Sequence, residues 1–229
     1  MGTLASNRKG FITGASASSY TDSLNVTTGT ASDSQTGSTV GVQYFQSSGR
    51  GGGTFRFIRT FLHFDTSGIT GGSSFQLQLT SAGATNNQGG SRDTIAIKHT
   101  AGSSNGSELA NADFNNIDRN TAYSSSTSFG TSGTITFTLN SAAATQIINE
   151  DDFNVALLLT HDAQQEEEAP IEEDGSINNS IAFGSAINLV YTDPTSGYAN
   201  AVAGLASTSI SKVVEVETGN IAKINDSIA

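Results

Sequence analysis

Alternation between apolar and polar side chains is the strongest constraint on the fold of this chain. In residues 134–139, apolar residues occupy every second position and threonines occupy the positions between them. Successive side chains of a β-strand point to opposite faces, so this period places the apolar groups on one face and the hydroxyls on the other. Residues 75–79 repeat the pattern with glutamines on the polar face. Both stretches are predicted to be strands with one buried face.

Further segments extend this strand pattern. Residues 153–160 are apolar on both faces, as expected of a central strand that is covered on both sides. Residues 40–45 and 187–191 fit further strands, and the turn pair Asp193-Pro194 ends the second of them. Only 14% of the residues are charged, and Gly, Ser, Thr, Asn and Gln supply most of the polarity, which favours short strands joined by turns. The chain is therefore predicted to be all-β.

Residues 54–65 depart from simple alternation, because Phe57 and Phe61 occupy odd-numbered positions while Leu62 and Phe64 occupy even-numbered ones. In a regular strand these two sets would lie on opposite faces. A bulge, or a bend that carries the strand from one sheet to another, near Arg59 would allow both sets to be buried. Arg59 itself is predicted to neutralise a buried carboxylate or to cover apolar surface.

One short helix is predicted at residues 142–149. Asn140 or Ser141 supplies an N-cap side chain, and Ala144, Ile147 and Ile148 fall on one side of the helix. This helix is expected to close one end of a sandwich.

Charge and cysteine content exclude several classes of protein. A net charge of −11 argues against binding to nucleic acid or to anionic membranes. The absence of cysteine excludes disulfides and thiolate metal sites. No run approaches the roughly 20 apolar residues of a membrane span, and residues 1–12 lack the apolar region of a secretory signal. Synthesis in the cytoplasm without this export route is expected.

Catalytic chemistry is not predicted. His63, His99 and His161 lie on separate predicted strands or strand ends, and no metal-binding, nucleophile-elbow or phosphate-loop motif occurs. We expect no catalytic residue, no metal and no cofactor, and therefore no enzyme.

Asp65 and Asp162, at the ends of apolar strands, are the acids to weigh as a glycosidase pair, but the favoured interpretation is a turn cap for Asp65 and a solvated strand end for Asp162.

Two ligand hypotheses remain open at this point. Tyr44 and Tyr123 could form a platform for stacking sugars, although core packing is the favoured interpretation. The acidic stretch 166–174 could hold calcium, although a solvated loop of mutually repelling carboxylates is favoured.

Residues 59–69 (Arg-Thr-Phe-Leu-His-Phe-Asp-Thr-Ser-Gly-Ile) and the strand that follows resemble the DNRLRE-type jelly-roll modules, whose core strand reads R-x-x-L-x-F-D-x-S-x-I. The similarity continues through residues 139–143 and 187–191, and it covers residues 20–192. It implies a jelly-roll β-sandwich of the kind found on surface and extracellular proteins, some of which bind carbohydrate. No binding residue carries over, because the matching positions are structural.

The last thirty residues contain a near-repeat. Residues 210–213 (Ile-Ser-Lys-Val) are echoed eleven positions later by residues 221–224 (Ile-Ala-Lys-Ile). They are similar to the I-x-K-[VI]-N-G-V repeats that end many virion proteins of marine tailed phages, although the Asn-Gly turn is replaced here. Short repeats bury little surface without neighbours. We predict assembly contacts at Ile210, Lys212, Val213, Val216, Ile221, Lys223 and Ile224.

Together these features predict an antiparallel jelly-roll β-sandwich with one short helix and a C-terminal extension. Its expected parts are an N-terminal arm (1–19), the sandwich (20–192) and an assembly tail (193–229). The expected function is that of a structural protein on the exterior of a tailed-phage virion, as a tail appendage, fibre or head decoration. Its expected partners are further copies of itself and other virion proteins. The alternative is a carbohydrate-binding module that recognises a host-surface glycan.

Overall fold

A computed structural model of the chain describes residues 1–34, 40–47, 53–86, 93–101, 108–128, 132–165, 177–194, 212–213 and 216–217. The chain divides into two units, Met1–Thr192 and Asp193–Ala229. The first unit contains the strands β1 (Gly2–Ala5), β2 (Arg8–Gly14), β3 (Gly29–Ser34), β4 (Val40–Ser47), β5 (Thr54–Asp65), β6 (Ser73–Asn86), β7 (Thr94–His99), β8 (Ile117–Ala122), β9 (Gly133–Thr138), β10 (Asp152–Leu159) and β11 (Ile177–Thr192). Its helices are α1 (Tyr20–Leu24), α2 (Ser141–Asn149), α3 (Thr160–Gln164) and a 3₁₀ helix (Asn111–Asn115).

These eleven described strands form one hydrogen-bonded network in the order β8-β7-β10-β5-β4-β11-β6-β9, with β1 beside β11 and with β2 between β3 and β5. Every pairing among them is antiparallel. The all-β sandwich predicted from the sequence is confirmed.

Strand β5 is where the network divides. Along one side, β5 pairs with β2 from Ile58 to His63 without a shift in register. Along the other side, β5 pairs with β4 as far as Ile58 and with β10 from Thr60 onward. The change of partner therefore falls at Arg59, where the sequence predicted a bend between sheets.

Burial follows the sequence pattern in the strands with the clearest signals. On β9, Ile135 and Phe137 are buried while the intervening threonines are exposed. All residues from Phe153 to Leu159 on β10 are buried, which confirms a strand covered on both faces. Each fully buried Leu or Phe side chain contributes roughly 1.5–3 kcal/mol to folding, so the buried residues of β10 add substantially to the stability of the core.

The predicted helix is present as α2. Asn140 is its N-cap, and its side-chain oxygen accepts hydrogen bonds from the backbone N–H groups of Ala142 and Ala143. Ile147 is buried as expected, whereas Ala144 and Ile148 are only partly buried. The short helices α1, α3 and the 3₁₀ helix were not predicted, because five residues are too few for a helical period to be visible.

Residues 1–19 differ from the arm expected of them. Strand β1 pairs with β11, and β2 lies between β3 and β5. Arg8 and Lys9 of β2 are both buried, so the charged start of this strand concealed its place in the sheet.

The second unit is described at two short strands, β12 (Lys212–Val213) and β13 (Val216–Glu217), which pair with each other in an antiparallel hairpin. Of the predicted assembly residues, Lys212, Val213 and Val216 belong to this hairpin. Ile210, Ile221, Lys223 and Ile224 lie outside the described residues, as does the acidic stretch 166–174. None of the helices among the described residues has the length and the apolar composition that a membrane span requires.

Candidate functional site

A buried ion pair lies at the point where the sheets divide. The Arg59 Nε donates to Asp162 Oδ2 at 2.8 Å, and its Nη2 donates to Asp162 Oδ1 at 2.6 Å. The two side chains are 0% and 1% exposed, so water does not screen the pair. The prediction that Arg59 neutralises a buried carboxylate is confirmed. The solvated Asp162 favoured from the sequence is wrong, because α3 follows β10 directly and its residues 161–163 are buried.

Arg59 also joins this pair to the 3₁₀ helix. Its Nη1 donates to the Phe114 carbonyl oxygen at 2.7 Å, and its guanidinium carbon lies 3.8 Å from the centre of the Phe114 ring. One side chain thereby connects β5, α3 and the 3₁₀ helix through short, charge-assisted contacts.

A second guanidinium, that of Arg119 on β8, approaches the same carboxylate. Its Nη2 lies 3.5 Å from Asp162 Oδ1, and its Nη1 lies 3.4 Å from Asn115 Oδ1. Burial, followed by the positive charge of Arg59, lowers the pKa of Arg119. Two cations thus share one carboxylate, and the short contacts of that carboxylate all go to Arg59.

The aromatic surroundings of the ion pair include His161. Its ring centre lies 5.6 Å from those of Tyr44 and Phe57 and 6.5 Å from that of Tyr20. No hydrogen-bond partner among the described residues meets its Nε2. Burial lowers the pKa of His161 to about 4, so the ring is neutral at pH 7.

The other two histidines have separate environments. His99 is buried, its Nε2 donates to the Leu62 carbonyl oxygen, and its Nδ1 accepts from the N–H of Ala101. Burial lowers the pKa of His99 to about 4. The ring nitrogens of His63 lie 2.6 Å from Asn7 Oδ1 and 2.7 Å from Asp152 Oδ1. Within the described residues, no group of three or more His, Asp or Glu side chains is placed to hold a metal ion.

The two aspartates considered as a glycosidase pair are far apart. Asp65 is paired with Asp152 at the start of β10, whereas Asp162 follows the end of that strand. The seven intervening steps along β10 span about 23 Å at roughly 3.3 Å per residue, while such a pair needs about 5–9.5 Å. The side chain of Asp65 instead accepts from the backbone N–H and hydroxyl of Ser67, which lowers its pKa. The turn cap favoured from the sequence is confirmed.

Tyr44 and Tyr123 cannot form the sugar platform considered above. They are 0% and 1% exposed, so neither ring presents a face to a ligand. The Tyr44 hydroxyl donates to Gln46 Oε1 at 3.0 Å, and the Tyr123 hydroxyl donates to Gln146. Both side chains pack in the core, as the favoured interpretation had it.

Strand β9 is the last strand in the order of the sheet, and a groove lies beside it. The groove has a volume of about 510 Å³ and is lined by Ser124, Ser125, Thr127, Thr136, Thr138, Leu139 and Asn140. We call it the β9 groove. The segment on its far side is attached to β7 through a bridge between Thr94 and Thr127. The groove therefore lies between β9 and this segment, which reaches the end of β9 through a bridge between Ser124 and Leu139. Its lining is mainly hydroxyl groups.

No protein-family model, no curated protein and no solved structure matches this chain. The resemblance to DNRLRE-type modules and to phage virion repeats stays a prediction.

We predict that Asp162→Asn destabilises the fold strongly, because it leaves the guanidinium of Arg59 buried without an anionic partner. The free energy of unfolding in urea should fall by roughly 3–5 kcal/mol. Asp65→Asn is the matched control, since Asp65 is exposed, and its effect should be much smaller. Equal effects of the two changes would contradict a structural role for the ion pair.

We also predict that stability falls in mild acid. His99 and His161 have pKa values of about 4 in the folded state, below the ordinary value of 6.5, so the unfolded chain binds protons first. The free energy of unfolding is therefore unaffected by these histidines above pH 6.5. It decreases as the pH falls from 6.5 towards 4, by up to roughly 3 kcal/mol for each histidine. Urea unfolding at a series of pH values measures this loss. His161→Phe, which cannot titrate, should make the decline shallower, and an unchanged slope would contradict the assignment.

Proposed function

We propose that this chain is a structural protein on the exterior of a tailed-phage virion, as a tail appendage, a fibre or a head decoration, and that it acts through protein–protein assembly. The open edge of β9 is the observation that carries the assembly part of this proposal. The C-terminal near-repeat supports the virion part. The buried Arg59–Asp162 pair stabilises the sandwich that presents the edge.

Strand β9 has few of the features that protect sheet edges. It pairs with β6 along one side. On the other side, no described strand pairs with residues 133–138, and the first bridge, between Ser124 and Leu139, comes just after the strand ends. Its sequence, Gly-Thr-Ile-Thr-Phe-Thr, contains no charged residue and no proline. Natural edge strands usually carry Lys, Pro or a bulge that prevents pairing with other chains. The edge of β9 is therefore suited to pairing with a strand of another molecule.

A second copy of the chain is the partner that this edge fits best. If two β9 strands pair antiparallel around Thr136, that residue faces its own counterpart and Thr134 faces Thr138. Ile135 then faces Phe137 on the opposite side. Facing residues share a side of the sheet, so the threonines of both copies continue one row of hydroxyls while the apolar residues remain in the core. Such a contact is self-complementary, as a twofold symmetric dimer requires.

The C-terminal unit supports a second type of contact. Its described part is a hairpin of only two residues per strand, which is too short to be stable alone. The first near-repeat, residues 210–213, includes the first strand of this hairpin, and the second, residues 221–224, follows its second strand in the sequence. We assign them to contacts with neighbouring copies and other virion proteins, whose surfaces would bury their apolar residues.

Thr136→Lys should weaken self-association, because it places like charges opposite each other in the paired edge. Sedimentation velocity over a concentration series should show wild-type dimers or larger species, with association at least about tenfold weaker in the variant. Thr80→Lys is the matched control, since Thr80 is exposed on β6 directly beside Thr134 and not on the edge. A monomeric wild type, or equal loss in both variants, would contradict pairing through β9.

Removal of residues 193–229 tests the tail and the virion assignment together. The sandwich has its own core, so the truncated chain should keep its cooperative thermal unfolding. We expect mass spectrometry to detect the full chain in purified particles and to find the truncated chain missing from them. Absence of the full chain from particles would contradict the virion assignment, and retention of the truncated chain would contradict an assembly role for the tail.

A further inference from the structure

A recess opens beside Arg119 at the edge formed by β7, β8 and α3. Its volume is about 450 Å³, which lies within the range of small-molecule sites. The residues that matter for its chemistry are Ile95, Arg119, Asn120, Gln164 and Gln165. We call it the Arg119 recess. None of its lining residues lines the β9 groove.

Arg119 has hydrogen-bonding capacity that the protein leaves unused. A guanidinium carries five N–H donors. The contacts of Arg119 to Asp162 and Asn115, at 3.5 and 3.4 Å, are at the long limit for a hydrogen bond, and its Nε meets no partner among the described residues. Arg59, by contrast, donates at 2.6 to 2.8 Å. Its Nε is buried, but the side chain is 18% exposed and lines the recess, so a ligand there can reach its exposed part.

The charges around the recess favour an anion. Arg59 and Arg119 are both positive, Asp162 is the single carboxylate that they share, and His161 is neutral at pH 7. Within this group of described residues, the two guanidiniums exceed the one carboxylate by one positive charge. Burial and the positive charge of Arg59 lower the pKa of Arg119, so the charge of this guanidinium itself opposes folding.

The remaining lining fits a sugar that carries a carboxylate. Asn120, Gln164 and Gln165 have exposed side chains, and their amides can donate to and accept from sugar hydroxyls. Ile95 is half-buried and offers apolar surface for the C–H face of a sugar ring, whereas Ile97 beneath it is buried. A planar guanidinium binds a carboxylate through two parallel hydrogen bonds. We propose that the Arg119 recess binds an acidic sugar, a uronic or sialic acid residue, and that Arg119 holds its carboxylate.

Calorimetric titration of the full chain tests this site. The probes are sodium galacturonate and N-acetylneuraminate, with galactose as the uncharged match and acetate as the carboxylate alone. At least one acidic sugar should bind, and the dissociation constants of galactose and acetate should be at least about tenfold higher than that of the acidic sugar. Failure of both acidic sugars to bind would overturn the proposal, and so would acetate binding as tightly as they do.

Variants assign the binding to the recess. Arg119→Gln should weaken binding of the acidic sugar by about tenfold or more and should not lower the unfolding temperature. Arg56→Gln is the control, since Arg56 lies 4.5 Å over the ring of Phe45 and outside the recess. The affinity of this variant for the acidic sugar should equal that of the wild type. Gln164→Ala changes only an exposed side chain and should also weaken binding, so it decides the question if Arg119→Gln fails to fold. Unchanged affinity in both recess variants would overturn the assignment.

Discussion

The contact between Arg59 and Asp162 is the interaction on which the rest of the structure depends. A charged pair removed from water is costly unless its geometry is good and its other polar atoms are satisfied. Here the guanidinium makes two short bonds to the carboxylate, one to a backbone carbonyl, and a stacking contact with Phe114. These contacts lie where β5 passes from one pairing partner to another. The same residue thus marks the division of the sheet and ties helices to it.

Local patterns explain which parts of the fold were predictable. The alternation on β9, the continuous apolar run of β10 and the cap at Asn140 each arise from a few neighbouring residues, and each is confirmed. The place of β2 in the sheet could not be predicted, because its charged Arg8 and Lys9 are buried only by the strands on either side of it. A helix as short as α3 has no period to detect, so the inward direction of Asp162 could not be predicted.

The candidate site was predictable only in part, for a related reason. The position of Arg59 within an apolar strand indicated a buried carboxylate, but its partner lies 103 positions further along the chain. The role of Asp65 as a turn cap was predictable, because a turn cap depends only on residues that are close in the sequence. Arg119 has no sequence signal, since its importance comes from a contact with Asp162 across 43 positions. The Arg119 recess exists because β7, β8 and α3 meet in space, and the residues of such a site show no spacing in the sequence.

The pairing of β1 with β11 has a consequence for how the sandwich carries load. Gly2 lies opposite Tyr191, so the first and last strands of the sandwich leave the sheet at the same end. A tension applied across these two ends would open the β1–β11 ladder one hydrogen bond at a time, as a zipper opens. The same tension applied along antiparallel strands from opposite ends would strain all the bonds of the ladder together. For a building block exposed to stretching, attachment through one terminus and a lateral edge is therefore mechanically safer than attachment through both termini.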